Sequence, residues 1–313
     1  MSRLSFESAA VIGTGMMGPG IAMTLALGGL RATILGRTIA SATEGLAKAR
    51  RQLAVLSDNE LITPLQASQA GERIGASAEF ESNVAAADIV IESAPENMEF
   101  KQDLFARIDS IAEPSTVLTS NTSGLSITAV ASRCRHPERV LTTHFWNPPH
   151  LMPLVEIIRG EKTDPGIPTR IAALLKHCGK VPVLVKRDTP GQLGNRLQGA
   201  LIREAIHIVQ EGIADAEDVD LAAKCGFGIR LPVYGIFEHQ DIVGLDMVLS
   251  ISDYVSKDLC NKPEAPRLLK EKVARGELGA KTGRGFYDWS RKDADAVRAR
   301  RDRFVLAVLK GAY

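Results

Sequence analysis

A histidine and a glutamate flank a proline-rich turn in residues 143–157, which read THFWNPPHLMPLVEI. Because proline cannot continue a paired central strand, the chain is expected to fold back within this segment. His144 and Glu156 are equidistant from its midpoint at His150. A buried imidazole or carboxylate is costly unless it is paired. The spacing therefore predicts a His144–Glu156 pair, and a structural and a catalytic pair would look alike at this level.

A glycine-rich turn lies near the N-terminus, in VIGTGMMGPG. Gly13, Gly15 and Gly18 have the G-x-G-x-x-G spacing, after a strand pattern and at the start of a helical pattern. In a dinucleotide-binding unit these glycines allow a tight turn, close approach of a pyrophosphate and close packing of the helix. We predict a cofactor-binding turn that includes Met16 and Met17. The alternative is a glycine-rich turn that serves packing alone.

The second strand pattern ends in ILGRT. Folds that prefer NAD carry an acidic residue at this position, about 20 residues after the glycines, to bind the ribose 2′-hydroxyl. Here Gly36 occupies the acidic position and Arg37 follows it. A guanidinium can bind a 2′-phosphate with two parallel hydrogen bonds. The sequence therefore predicts NAD or NADP as cofactor, with NADP accepted or preferred; the alternative is that Arg37 stacks on adenine and NAD remains usable.

Strand and helix patterns alternate through the first part of the chain, which is typical of a parallel sheet covered by helices on both faces. The strand-like runs are 9–13, 32–36, 87–94, 116–122, 139–145 and 180–186. After Asp188 the patterns are helical, at 191–211, 215–224, 244–258 and 293–310. We predict an α/β fold with a Rossmann-like, mostly parallel doubly wound sheet (1–188), followed by an all-α C-terminal domain (189–313).

Composition excludes several classes of function. The formal net charge of +1 gives no electrostatic footprint for nucleic acid or an anionic membrane. The four cysteines lack metal-ligand spacing, so we expect free thiols in the cytoplasm and no metal site. An uncharged stretch follows Glu7, but its glycines and Pro19 argue against a membrane-spanning helix. The expected ligand is a small molecule.

The sequence resembles the L-3-hydroxyacyl-CoA dehydrogenases over nearly the whole chain. The matching segments occur in the family's order: VIGTGMMGPGIA, DIVIESAPENMEFK, SNTSGLSIT, HFWNPPHLMPLVEI, KRDTPGQLGNRL, FEHQDIVGLD and KTGRGFYDW. The resemblance implies a Rossmann-like domain, a helical domain that forms a homodimer interface, and oxidation of a hydroxyl group with a nicotinamide cofactor.

Site residues can be carried over at matching positions. The resemblance implies that His144 is the catalytic base, that Glu156 is its partner, and that Ser123 and Asn195 lie near the reacting oxygen. A histidine titrates near neutrality, and a carboxylate on its far nitrogen fixes the tautomer. The residues implied beside the cofactor are Glu96, Lys101 and Asn121. From the residues alone, Asn195 can equally cap a helix, and Ser123 can equally be a turn residue before Gly124.

Three departures from members that use CoA bear on the substrate. Pro153 and Gly124 replace a lysine and a serine of the family pattern, and Arg73 is the only basic residue between 52 and 80. CoA phosphates need cations, so the substrate is either a 3-hydroxyacyl-CoA or a small hydroxy acid or alcohol that carries a carboxylate. The alternative from another class is a non-catalytic NAD(P)-binding structural protein, similar to a crystallin.

Overall fold

The computed structural model describes residues 6–312, which form an eight-stranded sheet and a set of helices. The strands are β1 (Ser8–Ile12), β2 (Arg31–Leu35), β3 (Ile74–Ser77), β4 (Ile89–Glu92), β5 (Val117–Ser120), β6 (Val140–Phe145), β7 (Leu154–Arg159) and β8 (Val181–Val185). Their order is β3-β2-β1-β4-β5-β6-β7-β8. Strands β1–β6 are parallel, β7 is antiparallel to β6, and β8 is parallel to β7.

Seven helices accompany these strands in the described chain: α1 (Gly18–Leu27), α2 (Ile39–Asp58), α3 (Pro64–Arg73), α4 (Phe80–Ala85), α5 (Met98–Ile111), α6 (Ile127–Val130) and α7 (Ile167–His177). Every residue of β4, β5 and β6 is buried. Two separate clusters of buried apolar side chains pack around the sheet. A sheet covered on both faces explains the apolar strand runs, and the predicted α/β fold class is confirmed.

The later helices are α8 (Gly194–Gln210), α9 (Ala216–Cys225), α10 (Ile236–Val243), α11 (Leu245–Val255), α12 (Arg267–Ala274) and α13 (Ala294–Ala312). By contacts the chain divides into two compact units, one that runs to Asn195 and resumes at Val305, and one that spans 196–304. The predicted boundary at residue 188 lies before this division. The return of the chain at Val305 was not predicted; Leu306 is buried in the core of the first unit.

Several local predictions differ from the structure. The strand β3 (IGAS) was missed because it is short and contains glycine. Helix α8 begins at Gly194 rather than at residue 191, where the predicted helical pattern starts, because Gly191 and Gln192 have positive φ angles of 75° and 54°, which a right-handed helix cannot contain. The N-terminal apolar stretch forms β1, a turn and α1. No helix in residues 6–312 is long and apolar enough to cross a membrane.

Candidate active site

The antiparallel pair of β6 and β7 places His144 directly opposite Glu156. His144 Nδ1 lies 2.7 Å from Glu156 Oε2, and the two side chains are 7% and 0% exposed. Side chains that face each other across a strand pair project from the same side of the sheet. The structure thus brings together the two residues that flank the proline turn, and it does so through strand register.

Four hydrogen bonds converge on the Glu156 carboxylate. Oε2 accepts from Trp146 Nε1 (3.0 Å) as well as from His144, and Oε1 accepts from the backbone N–H groups of Leu193 (3.0 Å) and Gly194 (2.8 Å). The two backbone donors are at the N-terminus of α8, where the helix dipole also favours a negative charge. Burial raises the pKa of this carboxyl, but the hydrogen bonds, that from His144 foremost, outweigh it and hold the pKa at about 2.

An ionised Glu156 determines which nitrogen of His144 carries hydrogen. A carboxylate can only accept hydrogen bonds, so Nδ1 must donate to it. In the neutral ring Nε2 is then the acceptor, since the hydrogen bond of His144 to Glu156 is made at Nδ1. The pair can therefore take a proton at Nε2 and stabilise the resulting imidazolium.

The Asn195 side chain contacts the backbone of Ser123. The Asn195 side-chain Nδ2 donates to the Ser123 carbonyl oxygen at 2.8 Å. Glu96 Oε1 accepts from the N–H groups of Ser123 (3.0 Å) and Gly124 (3.2 Å), and from Thr122 Oγ1 (2.5 Å). Glu96 therefore fixes the loop that carries Ser123.

The glycine-rich turn follows β1 and leads into α1, as its spacing predicts. Gly13 has φ +122°, and a Cβ there would lie 2.4 Å from the Ser93 carbonyl oxygen. A Cβ on Gly18 would lie 1.9 Å from the Gly13 oxygen, so the helix packs directly on the turn. A Cβ on Gly15 would meet nothing within 4 Å. Gly15 therefore borders open space, which suits the approach of a pyrophosphate to the backbone.

A cavity of about 990 Å³ extends from this turn across the carboxyl ends of the parallel strands. This location, where the strand order reverses between β1 and β4, is where open α/β sheets bind ligands. Of the predicted site residues, those that line it are Gly13, Gly15, Met16, Met17, Gly36, Arg37, Glu96, Asn121 and Ser123. The size and the glycine cradle fit a dinucleotide.

Lys101 is placed differently from the other predicted cofactor residues. Its side chain is 1% exposed, and Nζ lies 2.5 Å from Glu92 Oε1 and 3.6 Å from Glu96 Oε2. It does not line the cavity. Glu92 also accepts from Ser120 Oγ at 2.5 Å. Lys101 thus contacts the cavity wall from behind, through Glu96.

The end of β2 combines a tight turn with exposed charge. A Cβ on Gly36 would lie 2.5 Å from Ser41 Oγ and 2.7 Å from the Ala42 nitrogen. The close packing of the turn against the first residues of α2 therefore leaves no room at Gly36 for the acidic side chain that NAD-preferring folds carry at this position. Arg37 is exposed at the cavity, and Arg107, which is ion-paired with Glu81, also lines it.

Sequence reasoning missed several residues that support the pair. The contacts of Trp146, Leu193 and Gly194 with Glu156 are formed by an indole and by backbone groups, which no motif of titratable residues reveals. Lys180 was also missed: its Nζ donates to the carbonyl oxygens of Pro149 (2.6 Å) and Met152 (3.1 Å), and burial lowers its pKa to about 8. Lys180 therefore holds the proline-flanked loop in place through two of its carbonyl oxygens.

The unit formed by 196–304 contains a second cavity, of about 540 Å³. Four of its charged and phenolic groups are paired: Lys272 Nζ lies 2.9 Å from Glu277 Oε2, and Tyr287 OH donates to Asp220 Oδ2 at 2.8 Å. Its wall is otherwise mainly apolar. This cavity offers no acid–base pair comparable to that of His144.

Comparison with known proteins agrees with this geometry. Residues 8–189 match the family model "3-hydroxyacyl-CoA dehydrogenase, NAD binding domain", and residues 191–289 match the C-terminal domain of the same family. The chain belongs to the 3-hydroxyacyl-CoA dehydrogenase family. The predicted family, and with it the predicted class of dehydrogenase, is confirmed, and NAD is the cofactor that the family model names.

Members of the family with different substrates are similar to this chain. It is 35% identical over 299 residues to 5-formyl-3-hydroxy-2-methylpyridine 4-carboxylate 5-dehydrogenase of Mesorhizobium japonicum, covering 96% of both chains. It is 38% identical over 283 residues to a probable 3-hydroxybutyryl-CoA dehydrogenase of Bacillus subtilis, covering 90% of this chain and 97% of that protein.

Solved structures of both kinds superpose on this chain. The crystal structure of a 5-formyl-3-hydroxy-2-methylpyridine 4-carboxylic acid 5-dehydrogenase, described as an NAD+-dependent dismutase, has a TM-score of 0.90 at 34% identity and covers 98% of this chain and 100% of that one. The (S)-3-hydroxybutyryl-CoA dehydrogenase of Ralstonia eutropha has a TM-score of 0.76 at 34% identity, covering 91% and 99%.

Proposed function

We propose that this protein is an NAD-dependent dehydrogenase in which His144, oriented by Glu156, removes the hydroxyl proton of the substrate. The observation that carries the proposal is the buried 2.7 Å contact between His144 Nδ1 and an ionised Glu156, which leaves Nε2 as the proton acceptor. When bound, NAD supplies the acceptor for the hydride that leaves the carbon bearing this hydroxyl group. The substrate carbon then becomes a carbonyl, and His144 Nε2 holds the proton.

The neighbouring polar groups suit orientation of a substrate. Ser123 lines the cavity, and its loop is fixed by Glu96 and by Asn195. A rigid loop holds a hydroxyl donor at a constant position, which favours alignment of the reacting carbon. Ser123 Oγ is the group that we propose contacts the reacting oxygen, while Asn195 acts on it through the loop.

For the substrate we favour a small hydroxy acid or alcohol that carries a carboxylate. Two observations support it: Arg73 is the only basic residue between 52 and 80, and the solved structure that matches with a TM-score of 0.90 is a dehydrogenase of a small pyridine carboxylic acid. A 3-hydroxyacyl-CoA is the second candidate, since several relatives of 34–38% identity are named 3-hydroxybutyryl-CoA dehydrogenases.

A panel of substrates tests the proposal. Cofactor reduction is measured with 3-hydroxybutyryl-CoA, carnitine, gulonate and aromatic alcohols, each with NAD and with NADP. We expect turnover with a small carboxylated alcohol; turnover with the CoA thioester alone selects the second candidate. His144→Ala should abolish turnover and leave cofactor binding intact. Cofactor binding without turnover of any substrate would favour the alternative, a crystallin-like structural protein.

We propose that NADP is also accepted. The support is local: the strand end that bears an acidic residue in NAD-specific folds carries Gly36, and Arg37 and Arg107 both line the cavity. Arg107 is ion-paired with Glu81 and lies 4.2 Å from the centre of the Phe80 ring. The exposed guanidinium of Arg37 is therefore the group better placed to bind a 2′-phosphate.

We propose that the unit formed by 196–304 associates with a second copy of the chain. Ile206 is its only buried large apolar side chain among the described residues, whereas Val233, Phe237 and Tyr254 are each more than 80% exposed. So much apolar surface is unfavourable in water and is typical of an obligate interface.

We also propose a cytoplasmic location. The four cysteines are free, which supports a location in the reducing cytoplasm.

A further inference from the structure

Residues 192–195 contact two parts of the proposed site: their backbone binds Glu156, and their side chains bind the loop that carries Ser123. The backbone N–H groups of Leu193 and Gly194 donate to Glu156 Oε1. The side chains on either side of them reach the opposite loop: Gln192 Nε2 donates to the Thr122 carbonyl oxygen at 2.9 Å, and Asn195 Nδ2 donates to that of Ser123 at 2.8 Å. This short segment therefore links the partner of His144 to the loop that carries Ser123.

Gln192 adopts an unfavourable backbone conformation to make these contacts. Its φ is 54°, and among the described residues only Glu60 is another non-glycine residue with positive φ. A side chain in this region is strained, and such strain persists only where the surroundings impose it. The conformation turns the chain at Gln192, so that the following N–H groups point at Glu156.

The Gln192 side chain is also buried in an unfavourable way, with one polar atom unpaired. The residue is 3% exposed, and its Oε1 has no hydrogen-bond partner among the described residues. An unpaired buried amide oxygen lowers stability, and an apolar side chain of similar length would avoid that loss. A residue that is costly both in backbone and in side chain is more simply explained by the site than by the fold.

We propose that Gln192 is a positioning residue: its bond to the Thr122 carbonyl sets the distance between the Ser123 loop and the His144–Glu156 pair. This inference rests on the proposed function of that pair. The amide group acts through the backbone N–H groups of Leu193 and Gly194 and does not touch the reacting atoms. It holds the substrate oxygen, which Ser123 contacts, within reach of His144 Nε2.

Gln192→Met and Gln192→Gly test the proposal, and Glu60→Gly is the matched control. Methionine keeps the length of the side chain and removes both the donor and the unpaired oxygen, while glycine relieves the backbone. Loss of the donor lowers the stability and loss of the unpaired oxygen raises it. We therefore expect Gln192→Met to melt within about 3 °C of the wild type. Its kcat should fall about tenfold or more, with KM for NAD within about twofold, because a misplaced group slows the reaction more than it weakens cofactor binding.

Gln192→Gly should lose kcat to a similar extent, because it also removes the amide. Glu60→Gly, which relieves the same backbone strain at an exposed residue, should keep full activity. Wild-type kcat in Gln192→Met would overturn the proposal. So would a Gln192→Met chain that fails to fold, because the amide would then serve the fold rather than the site.

A spectroscopic measurement separates this inference from the proposed function. The chain has two tryptophans, and the indole N–H of Trp146 donates to Glu156, whereas that of Trp289 belongs to the other unit. In Gln192→Met the Trp146 indole resonance should move and the Trp289 resonance should not. An unmoved Trp146 resonance contradicts the positioning role even if no substrate is found. A moved resonance in a protein without turnover leaves the positioning role standing and overturns the proposed function alone.

Discussion

Trp146 and Gly194 lie against each other and bind opposite oxygens of the Glu156 carboxylate. The indole donates to Oε2 and the Gly194 N–H donates to Oε1. A Cβ on Gly194 would lie 2.4 Å from the indole ring. Absence of a side chain at this glycine is therefore what allows the indole and the start of α8 to reach the same carboxylate.

Gly194→Ala should disturb this arrangement. The added methyl group would displace the indole, so we expect a loss of about 1–3 kcal/mol in the free energy of unfolding and a lower kcat. Gly199→Ala is the control in the same helix, since a Cβ there meets nothing within 4 Å. It should gain about 0.5–1 kcal/mol from helix propensity. Denaturant titrations and kcat measurements compare the two; equal behaviour of both variants would contradict the packing argument.

Stability in acid should depend on Glu156. Its pKa is about 2 in the folded chain against an ordinary 4.5, so its contribution is complete above pH 4.5 and is lost as pH falls from 4.5 towards 2. The contribution is on the order of 3 kcal/mol. Glu156→Gln cannot titrate, so its free energy of unfolding should fall less over this range. Denaturation curves recorded at steps of pH test this, and parallel pH dependence of the two proteins would refute it.

Arg37→Ala should lower kcat/KM for NADP by about tenfold or more and change the value for NAD by less than about threefold, because only NADP offers a 2′-phosphate. Arg51→Ala removes another exposed arginine that does not line the cavity, and it should leave both values unchanged. An unaltered ratio of NADP to NAD efficiency in Arg37→Ala would show that the guanidinium does not bind the phosphate. Gly36→Asp is a poor test, because its Cβ would lie 2.7 Å from the Ala42 nitrogen.

Phe237→Ser should weaken self-association. Phe237 is 84% exposed in the single chain, and a polar replacement removes apolar area that a second copy would bury. Sedimentation velocity is expected to give twice the chain mass for the wild type and a concentration-dependent decrease for the variant. Leu65→Ser, at a 66% exposed leucine in the other unit, is the control and should sediment as the wild type does. A monomeric wild type would exclude the dimer.

The sequence predicted those features that depend on local pattern. Apolar runs identified the strands around Val11 and Leu141, and glycine spacing located the turn at Gly13, because both follow from backbone geometry and burial. The juxtaposition of His144 and Glu156 followed from symmetry about the prolines. In each case a short stretch of chain contains the whole argument.

Features that join distant stretches were not predictable. The bonds from Leu193 and Gly194 to Glu156 use backbone groups, which are the same in every sequence. The positive φ of Gln192 has no local signal, since glutamine does not favour it. Lys101 was expected beside the cofactor, and only the fold shows that Glu92 pairs with it behind the cavity wall.

The loop between β6 and β7 is held through main-chain oxygens. Lys180 binds carbonyl groups of Pro149 and Met152, and these are present whatever side chains the loop carries. Replacement of His150 or Met152 would leave that anchorage and the register of the flanking strands in place. These two positions can thus be varied while the proton acceptor and the coenzyme turn stay as they are.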